Sequence, residues 1–264
     1  MSCIELIGCT SAGKSTLINA ILQFCRGEGI DAWLGEDFVL KQAGFEKIKN
    51  EAARAVLVNL IAIFFAFASW RKNNKFYGYT IRFISQLPAS VRLSEKLYIG
   101  KNILKNIGIY EIVQRHIADN QFVFLDEGPF HTAQVLFVRL ASEGQNIDLS
   151  TFVSLVPLPD IAIYLQQDED VLIRRTLVRK HKRIPDGSHA FAKLFIKGSI
   201  ATFDKLVQYP EVKQRLLKVD NNNEHITVPE SEQFSSLSQI VLKALQAGLD
   251  LVNLEYLKTY VIRD

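Results

Sequence analysis

The chain has 264 residues, 48% of them hydrophobic and 22% charged, a balance that excludes an unstructured tail or a miniprotein dependent on covalent staples. Its 31 Lys and Arg against 28 Asp and Glu leave a formal charge of +3, too small a surplus to announce a nucleic-acid surface. The length fits a single domain over 1–264, with or without an inserted subdomain.

Cys3, Cys9 and Cys25 crowd the start of the chain. An odd, clustered set gives neither a disulfide framework nor a Cys-x-x-Cys pair, so a reducing, cytoplasmic setting is expected. No basic leader followed by a cleavable apolar stretch opens the sequence, and secretion is not expected.

Cys3 to Ile7 reads as a short strand, followed by a glycine turn and an apolar-periodic helix through Leu17, Ile18, Ile21 and Leu22 that ends at Gly27 to Gly29. Ile30 to Leu34 is a second strand, with Glu36 and Asp37 at its carboxyl end. A long helix follows from Phe45 to Trp70, nearly all apolar from Ala52 onward. Arg54 and Asn59 interrupt it, and Glu51, Arg71 and Lys72 bracket it. Its unbroken apolar run is shorter than the roughly 17 to 25 residues of a membrane span. The expectation is therefore a helix buried on most sides, with no membrane partner; the same surface could instead form part of a homodimer.

Helices are expected between Tyr77 and Ile117, with Pro88 breaking one of them. The run Gln121 to Leu125, ending in Asp126 and Glu127, lacks polar alternation and suits a strand buried on both faces of a parallel sheet; Asp160 to Leu165 is of the same type. Helices are expected over Asp168 to Lys182 and Phe191 to Leu206, separated by the breaker Pro185-Asp186-Gly187. Leu216 to Asp220 reads as the last central strand, before Asn221 to Asn223 and two terminal helices, at Ser235 to Ala247 and about Leu251 to Tyr260. Strands alternating with helices imply a mostly parallel sheet covered on both faces.

The decisive pattern is Gly8-x-x-x-x-Gly13-Lys14-Ser15, between an apolar strand and a helix. In this phosphate-binding loop the backbone N–H groups, here of residues such as Ser11, Ala12 and Gly13, cradle nucleotide phosphates at the positive end of the helix. Lys14 would neutralise the β- and γ-phosphates, Ser15 would offer its hydroxyl to Mg²⁺, and Thr16 sits where a hydroxyl can approach the α-phosphate. ATP and Mg²⁺ are the implied cofactors.

Ligands of parallel α/β sheets bind beyond the carboxyl ends of the strands. Asp126 and Glu127 should therefore lie beside the loop as Mg²⁺ ligands, with Asp126 favoured because it terminates the apolar run. Glu36 and Asp37 end the second strand, and one of them would accept the proton of an acceptor hydroxyl. Asp37 is slightly preferred. Arg175, Arg179 and Arg183 recur every four residues, flanked by Arg174, Lys180 and Lys182, and lie on nearly one helix face. Such a cluster suits a lid, over about residues 168–190, that closes on transferring phosphates.

Together, Gly8 to Thr16, Glu36-Asp37, Phe124-Leu125-Asp126-Glu127-Gly128 and Arg174-Arg175 with Arg179 resemble the phosphate-loop nucleoside and nucleotide kinase superfamily. Its thymidylate kinase-like and deoxynucleoside kinase-like branches are the most similar. That resemblance implies a three-layer α/β sandwich with a five-stranded, mostly parallel sheet in the order 2-3-1-4-5. It also implies an acid after the second strand handling the acceptor, lid arginines (Arg175 and Arg179) gripping phosphates, and Asn221 near the nucleotide base. About residues 45–117 would form a helical substrate region. An Arg commonly follows the third-strand carboxylate in this family; Glu127-Gly128 stands here instead, which leaves room for a free nucleoside, a sugar alcohol or another small hydroxyl compound as acceptor.

Two other classes compete. A P-loop ATPase could use Glu127 to orient water, and a nucleotide-binding regulatory protein could use the basic helix to contact RNA or an acidic partner. A GTPase is not expected, given the spacing of Asp126-Glu127-Gly128-Pro129 and the lack of an Asn or Thr before Lys218.

Overall fold

The computed structural model describes residues 2–138, 148–179, 184, 187–220, 225–227 and 243. In chain order, β1 (Ser2–Ile7) leads through the glycine loop into α1 (Lys14–Gly27). β2 (Ala32–Leu34) runs directly into α2 (Gly35–Gln42), and α3 (Glu51–Ala68), α4 (Asn74–Ser85) and α5 (Leu93–His116) precede β3 (Phe122–Leu125). After β3 come α6 (His131–Phe137), α7 (Leu149–Leu155), β4 (Ile161–Gln166), α8 (Glu169–Val178), α9 (His189–Leu206), α10 (Pro210–Lys213), β5 (Leu216–Asp220) and β6 (His225–Thr227).

Five parallel strands lie in the order β2-β3-β1-β4-β5, as the resemblance implied, and β6 adds an antiparallel edge strand beside β5. β1 sits centrally, Ile4 pairing in register with Phe124 on one side and Ile161 on the other. All six of its residues are buried, as expected for a strand covered on both faces. Period-2 alternation divides β3: Phe122 and Phe124 enter one apolar cluster with Leu6, Ile21 and Phe152, whereas Val123 and Leu125 enter another with Phe38, Val39 and Ile112.

Several expectations shift. Residues 45–50 precede α3 rather than belonging to it, and Asn50 caps α3 by accepting from the Ala53 N–H. α4 and α5 flank Pro88, in keeping with its role as a breaker. The short helices α2, α6 and α7 were not anticipated from the sequence. The helix expected over Asp168 to Lys182 is regular only to Val178, with Arg179 as its cap. Lys180 to Arg183, Pro185-Asp186, Asn221 and, apart from Lys243, both expected terminal helices lie outside the described residues.

One expectation is overturned. α3 is not buried on most sides: within it only Val58, Ala62 and Ala66, one stripe at four-residue spacing, are buried. That stripe packs on α5 so closely that a Cβ on Gly108 would lie 1.8 Å from the Ala62 carbonyl oxygen. Leu57, Ile61 and Phe65 flank that line, partly buried against the same cluster, and Val56, Leu60, Phe64 and Phe67 on the outer side are exposed. α3 is also long and apolar enough, by length and composition, to cross a bilayer, with a mean hydropathy of 1.8.

Candidate functional site

The glycine loop is shaped by its backbone. Gly8 (φ 139°), Ser11 (φ 69°) and Gly13 (φ 101°) all have positive φ, a region that glycine enters without steric cost. Gly8 also has no room for a side chain, because a Cβ there would stand 2.6 Å from the Leu165 carbonyl oxygen of β4. The loop thus curls over the carboxyl ends of β1 and β4 and delivers α1 with its N-terminus facing the concavity. Lys14, buried at 8% exposure, folds back so that Nζ donates to the carbonyls of Gly8 (2.9 Å) and Cys9 (3.1 Å). The chain has a phosphate-loop fold.

Ser15 Oγ donates to Asp126 Oδ2 at 2.7 Å. The end of β3 and the first turn of α1 therefore meet, as the sequence anticipated. Glu127 is half exposed and turns toward His131, with 3.8 Å between Oε1 and Nε2. A hydroxyl beside a carboxylate at a phosphate loop is a hard-oxygen pair of the kind Mg²⁺ takes, since that ion completes its shell with phosphate and water oxygens. No cluster of three or more His, Cys, Asp or Glu side chains occurs among the described residues.

Next to Asp126 opens a cavity of about 210 Å³ lined by Leu34, Gly35, Glu36, Lys105, Ile109, Leu125, Asp126 and Glu127. Glu36 occupies the first turn of α2 and accepts a 2.6 Å ion pair from Lys105 of α5. Burial works against the charge on Lys105, yet the carboxylates of Glu36, Glu127 and Asp126 outweigh it and raise the lysine pKa, so Lys105 stays cationic. Asp37, the acid slightly preferred on sequence, is not among the lining residues; it pairs with Arg54 of α3 instead. α2 starts at Gly35, so successive side chains point about 100° apart and only one of the two acids faces the cavity. Beside Lys105, Asn106 is wholly buried and has no hydrogen-bond partner for either amide atom.

The basic helix α8 lies against the loop. Thr176 Oγ1 donates to Ser11 Oγ at 3.2 Å, while Leu172 and Ile173 anchor the helix in the core. This brings Arg175, half-buried and next to Thr176, into the neighbourhood of the loop; Arg174 and Arg179 are exposed.

Sequence reasoning passed over two residues. Lys105 carries no local signal, since a lysine on an amphipathic helix reads as surface. Glu5 had one, being a lone carboxylate in the apolar strand Ser2–Ile7, and buried charges need partners. It is fully buried and accepts from the N–H groups of Phe130 (3.0 Å) and His131 (2.8 Å), which fastens the turn after Asp126-Glu127 to β1. Burial pushes its pKa up to about 8, against those N–H groups, that of Gly128 and Lys14. Cys9 is likewise buried, and its thiol is pushed up to about 12, which removes the low-pKa condition for redox sensing at a helix N-terminus.

No family model and no curated protein matches the chain. Solved structures do. Shikimate kinase from Acinetobacter baumannii in complex with shikimate is 12% identical, with 96% of this chain and 94% of that one covered and a TM-score of 0.36. Deoxyadenosine kinase from M. mycoides is 15% identical over 91% and 95%, with a TM-score of 0.35. Thymidylate kinase from Candida albicans is 16% identical over 86% and 95%, with a TM-score of 0.38. Likeness at this level says nothing of activity, which has to be read from the chain's own residues.

Proposed function

We propose that the chain is an ATP- and Mg²⁺-dependent phosphotransferase that moves the γ-phosphoryl group to a small acceptor, a nucleoside or nucleotide being favoured, seated in the Glu36–Lys105 cavity. The observation that carries the reading is the convergence of three neighbouring strand ends. β1 presents Lys14 and Ser15, β3 presents Asp126, and β2 presents Glu36 beside a cavity that shares Asp126 with the phosphate loop. A donor site and an acceptor-sized cavity with a carboxylate between them are what in-line transfer needs, since the protein's part is positioning and charge.

The loop N–H groups and Lys14 would hold the β- and γ-phosphates, Lys14 exchanging its contacts with the Gly8 and Cys9 carbonyls for phosphate oxygens. Ser15 and Asp126, with Glu127 nearby, would hold Mg²⁺, which supplies charge neutralisation at the phosphates when bound. Glu36 would accept the acceptor hydroxyl's proton, and Lys105 would keep that carboxylate aimed into the cavity. Arg175, with Arg179, would supply positive charge over the transferring group from α8. The three buried free cysteines suit the reducing, cytoplasmic setting that this reading assumes.

The test is a panel of nucleosides, nucleotides and small alcohols incubated with γ-labelled ATP, with label on each acceptor scored separately from free phosphate. Label on an acceptor supports the transferase. Release of phosphate at the same rate with or without every acceptor supports an ATPase instead, and nucleotide binding without either supports a regulatory protein.

A further inference from the structure

The cavity beside Asp126 is small, and its lining is lopsided in charge. At about 210 Å³ it falls below the roughly 300–1,000 Å³ of sites for drug-sized ligands, so the acceptor it seats is compact. The carboxylates of Glu36, Asp126 and Glu127 line it against one cation, Lys105, and its apolar walls are the aliphatic side chains of Leu34, Ile109 and Leu125. No aromatic ring lines it among the described residues, and a nucleobase would find no stacking partner there.

That cation is not available to an anionic acceptor. Lys105 Nζ lies 2.6 Å from Glu36 Oε1, and Asp126 and Glu127 add their fields at the same ammonium, which is why its pKa rises despite burial. A carboxylate brought up to Lys105 would meet those like charges, and a nucleotide would bring about two negative charges of its own. An ammonium, by contrast, is already held in this cavity against the cost of desolvation. Among the acids, Glu36 is matched by Lys105, and Asp126 takes the Ser15 hydroxyl at 2.7 Å on the phosphate side. Glu127 is left over. It is half exposed, and its one ion pair among the described residues is the 3.8 Å contact with His131, longer than a hydrogen bond.

We propose that the acceptor is a small amino alcohol or amino sugar whose ammonium pairs with Glu127 while its hydroxyl faces Glu36. The inference rests on the transferase reading and narrows its acceptor away from nucleosides and nucleotides. In the transfer the acceptor O–H bond breaks and its proton passes to a Glu36 carboxylate oxygen. The freed electron pair on that oxygen forms the bond to the γ-phosphorus, and the bond from that phosphorus to the β–γ bridging oxygen breaks, its electron pair leaving with ADP. The amine stays protonated throughout; its part is to fix which end of the acceptor points at the phosphate.

Matched acceptors test it: glucosamine, glucose and glucuronate, and ethanolamine, ethylene glycol and glycolate, each given to the full chain with γ-labelled ATP near neutral pH, beside a nucleoside and a nucleotide. In at least one series kcat/KM for the amine should exceed that of the neutral member by about ten- to a hundredfold, the worth of one hydrogen bond to a charged group, with the acid lowest. Glu127→Gln should bring the amine-to-neutral ratio to near one, and Glu127→Asp should keep the preference for the amine; circular dichroism and calorimetry with ATP control for folding and for the donor site. Better labelling of the neutral or acidic member in both series, or of the nucleoside or nucleotide, overturns the proposal and leaves the transferase reading standing. So does a Glu127→Gln variant that retains the wild-type ratio. Free phosphate released alike in every mixture, with no label on any acceptor, overturns the transferase reading itself and the proposal with it.

Discussion

Glu5 offers the sharpest physical test of how the site is held. Its carboxyl has no solvent exposure, and burial raises its pKa from 4.5 to about 8. In the unfolded chain the group ionises near 4.5, so above that pH the unfolded state releases a proton that the folded state keeps. The stabilising contribution is therefore fully present below about pH 4.5 and is lost as pH rises toward 8. At about 1.36 kcal/mol per tenfold change in proton activity, the interval corresponds to on the order of 5 kcal/mol. Glu5→Gln is a near-isosteric stand-in for the neutral acid and has no proton to lose. Urea unfolding of both proteins across the interval isolates the group, because all other titrations cancel in the difference. The wild type should match the variant in mild acid and fall progressively below it as the buffer becomes weakly basic. A wild type that instead gains on Glu5→Gln with rising pH would refute the reasoning, for it would mean that the Phe130 and His131 N–H groups reward the ionised carboxylate by more than burial penalises it.

Three further outcomes follow from the geometry. Gly108→Ala should destabilise the fold by about 3 kcal/mol in thermal unfolding, because its Cβ would require α3 and α5 to separate at the Ala62 carbonyl. Lys14→Ala should lower phosphoryl transfer about 10²- to 10³-fold and weaken ATP binding by calorimetry, while the melting profile stays cooperative. Glu36→Gln should reduce acceptor labelling about 10²- to 10⁴-fold with ATP affinity unchanged, whereas Asp37→Asn, which removes a part-exposed pair with Arg54, should cost at most about 1 kcal/mol of stability and leave the labelling rate near wild type. The reverse ranking in labelling would restore Asp37 as the proton acceptor.

What was legible in the sequence is what local chemistry determines. The phosphate loop is contiguous, and its strand and helix flanks can be read from periodicity, so the approach of Ser15 to Asp126 needs only the rule that parallel strands present their carboxyl ends together. The choice between Glu36 and Asp37 turns on helical phase, and that phase depends on α2 beginning directly at Gly35. A shift of one residue in that start would turn Asp37 into the direction Glu36 now takes. Lys105 lies 69 residues along the chain from Glu36, and only the packing of α5 beside α2 brings its ammonium to 2.6 Å. No spacing rule contains such a contact.

The exposure of α3 shows the same boundary from the other side. Composition establishes that the helix is apolar; it does not say how many faces have neighbours. The small residues Ala62 and Ala66 on the Val58 line held the information, since small side chains at four-residue spacing allow one close helix approach. Larger Leu60, Phe64 and Phe67 on the opposite line have no such close helix partner among the described residues. An apolar helix with a narrow line of small residues on one side and bulky ones on the other is built for two different contacts, and the fold satisfies the first. The mechanical link between them runs through α3 itself. Arg54 fixes its first turns to Asp37, the neighbour of Glu36, and Ala62 rests on Gly108, less than one turn from Lys105. Whatever covers the outer line therefore bears on the helix that supports both ends of the Glu36–Lys105 pair.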